Sequence, residues 1–446
     1  MKTFLSRVFR LQPGESTLVL ILGFLLLSNS LARQISDVVA VSGFLNTVGA
    51  NRILLVWLVD MVLTIAITGL QSLFVDRFNR RDLMSWMCFV YGILLLILRL
   101  MFTFKVPSGI NYTLLYLLAE QQLLFFPLVF WILANDLLTL AQAKRLFPII
   151  ATGNFAGQIL GLAIAAISPS IMQYFGLQVE ELLLFNVLIY LIAYAVLQGG
   201  LSYLPRRNNQ YKPENLVETL TEGGGFVREV LSFRYLTFAI IAINICLTIF
   251  EFRFLVVSNE SFPDLYGYQR FYSLYRLGLI SVAWFIQGFL TSRILEFLSL
   301  KNSFFFLPLA QLIASVSMII FPGAIGGIGG FSLSKLTQLT VDESARKSIQ
   351  SLVPLQRRGR VSLFMDSYLF AIGTIIGCII TGAIVWTGIR LNTSLYFYVY
   401  LAIAVLTSLF TLWSIFKMRK FYDISLLNWR LKRRQRGQSI IDKLKF

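Results

Sequence analysis

Eight ionisable residues stand inside long apolar stretches of the sequence: Arg33, Asp37, Asp60, Glu120, Glu251, Arg253, Arg276 and Lys335. An ionised group at the centre of a bilayer costs at least about 2.5–3.5 kcal/mol on insertion scales, so each requires an opposite charge or a wet cavity. Fixed cations can bind an anion, and carboxylates can neutralise those cations or carry a proton. Arg33, Arg253, Arg276 and Lys335 are therefore the candidate substrate-binding residues. Asp37, Asp60, Glu120 and Glu251 are the candidate coupling or charge-pairing residues. Arg33 and Asp37 are four apart and share one helical face, with Asp60 at similar depth on the next span. A plainer reading stays open: Arg33 with Asp37, and Glu251 near Arg253, could be neutralising pairs that only hold helices together.

Other chemistries lack their residues. The chain has no histidine, which removes the commonest metal ligand and proton relay. Cys88, Cys246 and Cys378 lie singly in apolar runs as small fillers, with no disulfide framework or metal cluster readable. No Gly-x-x-x-x-Gly-Lys-Ser/Thr run occurs, so ATP hydrolysis is not expected as an energy source, and the glycine cluster Gly323 to Gly330 lacks the lysine. Neither an enzyme nor a cofactor is expected, since no nucleophile–base pair stands at a recognisable spacing. Three glycosylation patterns (Asn111-Tyr112-Thr113, Asn259-Glu260-Ser261, Asn392-Thr393-Ser394) fall on the expected outer side, at a frequency chance explains.

The elements that position these charges follow from composition. The 446 residues are 57% hydrophobic and 14% charged, with a mean hydropathy of +0.73. Apolar runs near twenty residues recur, each long enough to cross about 30 Å of hydrocarbon as a helix. The period-two pattern of membrane barrel strands is missing. The expectation is an all-α membrane protein with twelve transmembrane helices, beginning near residues 17, 52, 82, 111, 147, 180, 234, 270, 302, 322, 360 and 393. The first run continues past signal-peptide length and reads as a retained helix.

The longest polar interruption carries Arg206, Arg207, Lys212, Glu214, Glu218, Glu222 and Gly223 to Gly225. It divides the chain into an N-terminal six-helix bundle (1–204), a cytoplasmic linker (205–233), a C-terminal six-helix bundle (234–417) and a basic tail (418–446). On alternate sides of the spans the even-numbered connections and both tails hold 30 of the 39 lysines and arginines. Both termini are therefore expected in the cytoplasm, or the stroma of a plastid. The net charge of +17 reports topology and contact with the lipid bilayer; no nucleic-acid partner is expected. The cluster Lys432, Arg433, Arg434 and Arg436 reads as an anchor beside anionic lipid or a docking element.

The halves echo one another. Helix 5 carries Gly153, Gly157 and Gly161, and helix 11 carries Gly373, Gly377 and Gly382, so both are expected to pack closely against a neighbour in equivalent places. In such a layout helices 1, 4, 7 and 10 each open a three-helix repeat and each carries a charge, so the charges can converge on one central cavity.

Two resemblances extend this reading. The 2/3 connection Asp76-Arg77-Phe78-Asn79-Arg80-Arg81 resembles the loop at this place in major facilitator transporters, whose acid and arginines latch neighbouring helix ends; the leading glycine is replaced by Phe74 or Val75. The stretch Phe130-Trp131-Ile132-Leu133-Ala134-Asn135-Asp136, then Ala143-Lys144-Arg145-Leu146-Phe147-Pro148 and Gly153-Asn154, resembles the helix 4 to helix 5 signature of the ATP/ADP translocases of plastids and intracellular bacteria. Glu120, Arg33 with Asp37, Glu251, and Val353-Pro354-Leu355 with Asp366 fall at further places of that pattern. The resemblance implies a major-facilitator-like fold and nucleotide transport. Three cations of the pattern are absent: Ser36 precedes Asp37, Leu255 follows the helix 7 acid, and Ser348-Ile349 precede the Pro-Leu.

The sequence thus predicts a secondary transporter of a small anionic solute, a nucleotide or related metabolite, working by alternating access with a possible proton or counter-substrate. Its expected place is a bacterial inner membrane or plastid envelope. The alternative is a non-transporting membrane module with a carrier-like fold that anchors or regulates a partner.

Overall fold

In hydrocarbon an extended segment leaves its amides unpaired, whereas a helix bonds them internally, so the apolar runs fold as helices. The computed structural model describes the backbone of residues 15–75, 79–200, 224–350, 353, 355–393 and 395–443, and the side chains of all of these except 70–75, 140, 144, 298, 355–358 and 423–443. The linker residues from Arg206 to Gly223, the loop residues Asp76, Arg77 and Phe78, Pro354 and Ser394 lie outside the described residues, as do the side chains of Lys144 and of Lys432, Arg433, Arg434 and Arg436.

The described residues are all-α. The first six helices are α1 (Glu15–Thr47), α2 (Ile53–Val75), α3 (Arg80–Thr103), α4 (Ser108–Leu137), α5 (Leu140–Phe175) and α6 (Leu182–Gly200). There follow α7 (Leu231–Ser261), α8 (Leu265–Phe289), α9 (Thr291–Leu298), α10 (Leu300–Ser303), α11 (Phe306–Ile320), α12 (Ala324–Thr337), α13 (Glu343–Gln350), α14 (Leu355–Leu363), α15 (Leu369–Arg390) and α16 (Tyr396–Lys443). A π-turn at Gln338–Asp342 joins α12 to α13, and another at Phe364–Tyr368 joins α14 to α15.

Several expected starts fall within a turn of the observed ones. The start expected near 147 is about two turns late, because the first turns of α5 are polar. There Thr139 and Gln142 close a capping box, the Thr139 amide donating to Gln142 Oε1 at 3.1 Å, which satisfies two otherwise orphaned donors.

Among the described residues ten helices are long and apolar enough to cross a membrane, and α8 with α9, bent by 48° at their junction, raises the number to at most eleven. The twelve expected from sequence are therefore not all present as apolar spans among the described residues. The missing one, expected near 322, is α12. It is only 14 residues long, holds four glycines and Lys335, and continues through its π-turn into a helix bearing Glu343, Arg346 and Lys347.

The chain forms two compact units. Unit 1 comprises Met1–Val56, Ala66–Glu214 and Ser258–Ser281; unit 2 comprises Trp57–Ile65, Asn215–Val257 and Val282–Phe446.

In unit 1 the buried element is α1, with Leu22, Leu25, Ile35 and Val38 sealed from solvent and lipid, and α4, α5 and α6 packed against it. Glycines set the α1–α5 distance. A Cβ at Gly157 would lie 2.4 Å from the Leu27 carbonyl oxygen, and one at Gly161 would lie 2.7 Å from that of Leu31. These glycines recur every fourth residue, so the two backbones stay in contact over several turns.

In unit 2 the central helix is α7. Gln311 of α11 donates to the Ile243 carbonyl at 3.1 Å, and Cys246 lies 3.4 Å from Ser408 of α16. A Cβ at Gly373 of α15 would lie 2.7 Å from the Ile241 carbonyl, and one at Gly377 would lie 2.9 Å from Thr248 Cβ. The glycines on the expected helices 5 and 11 therefore do the same work, one against α1 and the other against α7.

Candidate functional site

In unit 1 three helices bring four of the eight intramembrane charges together. Arg33 and Asp37 leave the same face of α1. Arg33 Nη2 meets Glu120 Oε1 of α4 at 3.4 Å, and Asp37 forms an ion pair with Arg276 of α8. The two pairs place the charges in the order Glu120, Arg33, Asp37, Arg276, alternating in sign. Arg276 Nη1 also reaches the Tyr272 hydroxyl at 3.5 Å, and its guanidinium lies 5.5 Å from the centre of that ring. The local pairing of Arg33 with Asp37 is not the one formed. Each reaches a different helix instead, which ties α4 and α8 to α1. The Arg33 Nε is buried without a hydrogen-bond partner.

Beside this cluster is a cavity of about 140 Å³ between α1, α4 and α5. Asn29, Ser30, Arg33, Trp131, Asn154 and Gln158 supply its polar lining. Pro127 and Leu123 line it too, and Pro127, having no N–H, leaves the Leu123 carbonyl without its helical donor. Behind the cavity, Tyr190 donates to Asn29 Oδ1 at 2.8 Å and Asn29 donates to the Gln122 carbonyl at 3.2 Å. Asn186 of α6 donates to the Ala32 carbonyl and to Ser36 Oγ at 2.9 and 3.0 Å. Ser36 therefore holds a structural bond at the position where the resembled pattern has lysine.

The helix 4 to helix 5 signature occupies this region. Trp131 packs edge-on between Phe130 and Phe147, with centroids 5.2 and 5.1 Å away. Asn154 accepts a hydrogen bond from Ser30. Asp136 accepts from Arg80 at 2.5 Å, so an arginine of the expected latch loop joins the start of α3 to the end of α4.

The remaining candidates fall in unit 2. Arg253, 8% exposed, donates to the Pro322 carbonyl and, at 3.5 Å, to the Tyr400 hydroxyl. It lies 4.5 Å over the Phe397 ring. Glu251 is half-buried on the same helix. Asp60 is buried on α2 at 1% exposure. Lys335 is half-buried on α12 and makes no ion pair among the described residues. The structure thus unites Arg33, Asp37, Glu120 and Arg276, while Asp60, Glu251, Arg253 and Lys335 belong to the other unit.

One network was not singled out from sequence. Arg346 binds Asp342 at 2.8 Å and Asp366 at 3.9 Å; Lys347 and Gln350 also bind Asp366, at 2.6 and 2.9 Å. Each aspartate stands in one of the two π-turns. The four-residue spacing of Asp342 and Arg346 was the available signal.

Arg33, paired with Glu120, lines this cavity on helices long and apolar enough to cross a bilayer, as a membrane transporter requires, and solved structures share the fold. The chain is similar to the nucleoside transporter NupG (12% identity, 91% of this chain and 99% of that one, TM-score 0.65). It is also similar to a bacterial homologue of the iron transporter ferroportin in an inward-facing state (15%, 91% and 100%, 0.60). A third likeness is to a bacterial homologue of the human lysosomal transporter Spinster (15%, 94% and 98%, 0.58). At such identities these likenesses establish a major-facilitator-like fold alone. No curated protein matches the chain. Residues 93–328 match the model of the TLC ATP/ADP transporter family, and the chain belongs to that family. The match takes in Glu120, Glu251, Arg253 and Arg276, whereas Arg33, Asp37, Asp60 and Lys335 lie outside it.

Proposed function

We propose that this transporter is a secondary carrier of a small anionic solute, a nucleotide or related metabolite, working by alternating access. The observation that carries the reading is the pair of ion pairs Glu120–Arg33 and Asp37–Arg276, with Arg33 lining the cavity between α1, α4 and α5. An anion entering there exchanges places with a carboxylate: Arg33 or Arg276 releases its internal partner and takes the solute. The freed Glu120 or Asp37 then either accepts a proton or waits for the solute to leave. Such exchange keeps the buried charge balanced in both states, which a bilayer interior demands. Arg253 and Lys335 are the corresponding cations of unit 2, with Asp60 and Glu251 as their coupling or pairing acids.

A triphosphate carries about four charges, and its neutralisation needs several fixed cations or helix N-termini. With Ser36, Leu255 and Ser348-Ile349 standing where the resembled pattern has cations, a solute of lower charge than ATP fits better. We place the protein in a bacterial inner membrane or plastid envelope with both termini cytoplasmic or stromal, and count α12 as the twelfth span of two six-helix halves. The same missing cations favour one second reading, a carrier-like module that binds a partner without transport.

The test is uptake of labelled nucleotides into liposomes holding the full chain. Arg33→Gln and Arg276→Gln should each reduce uptake at least tenfold. Undiminished uptake in both removes the site. No uptake of any labelled anion by the unmodified chain favours the module.

A further inference from the structure

Arg253 is the one lysine or arginine among the described residues whose exposure falls below a tenth, and it has no acid partner. The less buried Arg33, Arg80, Arg99, Arg145, Arg276 and Arg346 each have a carboxylate partner. Arg253 has a backbone carbonyl, a tyrosine hydroxyl and a phenylalanine face, and its Nε has no partner at all. A carbonyl dipole and a ring quadrupole solvate a guanidinium only in part, and an uncompensated buried charge is costly.

The carbonyl it holds belongs to Pro322, the residue before the N-cap of α12. Gly323 caps that helix without any side-chain hydrogen bond, so the first amides of α12 lack both intrahelical and side-chain acceptors. Nothing would meet a Cβ at Gly323 within 4 Å, whereas one at Gly326 would lie 1.9 Å from the Phe321 carbonyl and one at Gly327 would lie 2.4 Å from Val257 of α7. The turn is thus folded tightly toward α7 and open at Gly323. A buried guanidinium with an unused N–H and a helix start with unused amides are brought to one place.

We propose that Arg253 and the first turn of α12 form an oxyanion subsite, contained within unit 2, that takes a phosphate-type group in exchange for the Pro322 carbonyl. It rests on the assignment of Arg253 as an anion-binding residue and narrows that role to a definite place and chemistry. The planar guanidinium offers paired donors that match phosphate oxygens, and a helix N-terminus supplies convergent amides and the positive end of its dipole. Phe397 supports the guanidinium from below and Tyr400 offers a further hydroxyl.

The experiment measures binding rather than uptake. The full chain in detergent is titrated with inorganic phosphate at constant ionic strength, with chloride and acetate as controls, and thermal unfolding is followed. Phosphate should stabilise it saturably and acetate much less. Arg253→Gln should raise the half-saturating phosphate concentration at least tenfold, and Arg253→Lys by less. Ala324→Pro removes one amide at a position where proline suits a helix, and Gly323 before it is already extended; this variant should fold and weaken binding several-fold. If Arg253→Gln does not fold, the other two variants carry the test. Equal half-saturation in the unmodified chain and these variants, an acetate effect as large as that of phosphate, or no phosphate effect at all overturns the subsite. Loss of uptake with phosphate binding intact counts against the carrier reading and leaves the subsite standing.

Discussion

The ion pair between Asp37 and Arg276 joins residues from opposite halves of the sequence, and its removal has a computable cost. The side chains are 5% and 20% exposed, so Asp37 in particular is poorly hydrated once its partner is removed. At about 4 Å and an effective dielectric constant near 20, two unit charges attract by about 4 kcal/mol. Stripping one partner from a buried pair costs about 3–5 kcal/mol, because the other charge is left uncompensated. Asp37→Asn and Arg276→Gln should each destabilise the protein by about that much. The double substitution should cost less than the sum of the two by about 2–4 kcal/mol, since it leaves no orphan. The assay is reversible denaturant unfolding in mixed micelles, completed as a double-mutant cycle. Costs that add to within about 0.5 kcal/mol would mean that the two charges do not interact, and the proposed charge exchange would lose its basis.

Gly157→Ala places a methyl 2.4 Å from a backbone oxygen of α1 and should destabilise by about 1–3 kcal/mol. Gly278→Ala, where nothing lies within 4 Å, should be neutral or stabilise by up to about 1 kcal/mol; equal effects in unfolding titrations would refute the close approach of α1 and α5. Arg346→Gln strips the buried Asp342 of its cation and should cost about 3–5 kcal/mol, part of which Asp342→Asn should recover in the double variant. Cys88, Cys246 and Cys378 are all buried, so a membrane-impermeant maleimide should label them only after denaturation. Labelling of the folded protein would reveal an aqueous route to these thiols.

Length and charge pattern made most helices legible, because the cost of an unpaired amide in hydrocarbon leaves few alternatives. α12 is the exception: the sequence reads a span near 322, yet the helix runs only 14 residues before a π-turn. Among the candidate residues, spacing put Arg33 and Asp37 on one face but could not choose between their pairing together and their pairing outward. That choice depends on which side chains α4 and α8 present at the same depth, a matter of tertiary packing. Asp342, Arg346 and Asp366 were harder still. Their association depends on two π-turns, and a single inserted residue in a helix leaves no mark in hydropathy. The glycine stripes were the clearest signal of contact, since a run of missing side chains has few uses other than close approach.

The burial of α1 bears on how the chain is made. During synthesis Arg33 must wait 87 residues for Glu120, and Asp37 waits longer still for Arg276. In the interval these two charges lack their partners. Newly inserted α1 should therefore linger at the insertion machinery, and nascent chains arrested before α4 should remain extractable by alkali while those arrested after α8 resist it.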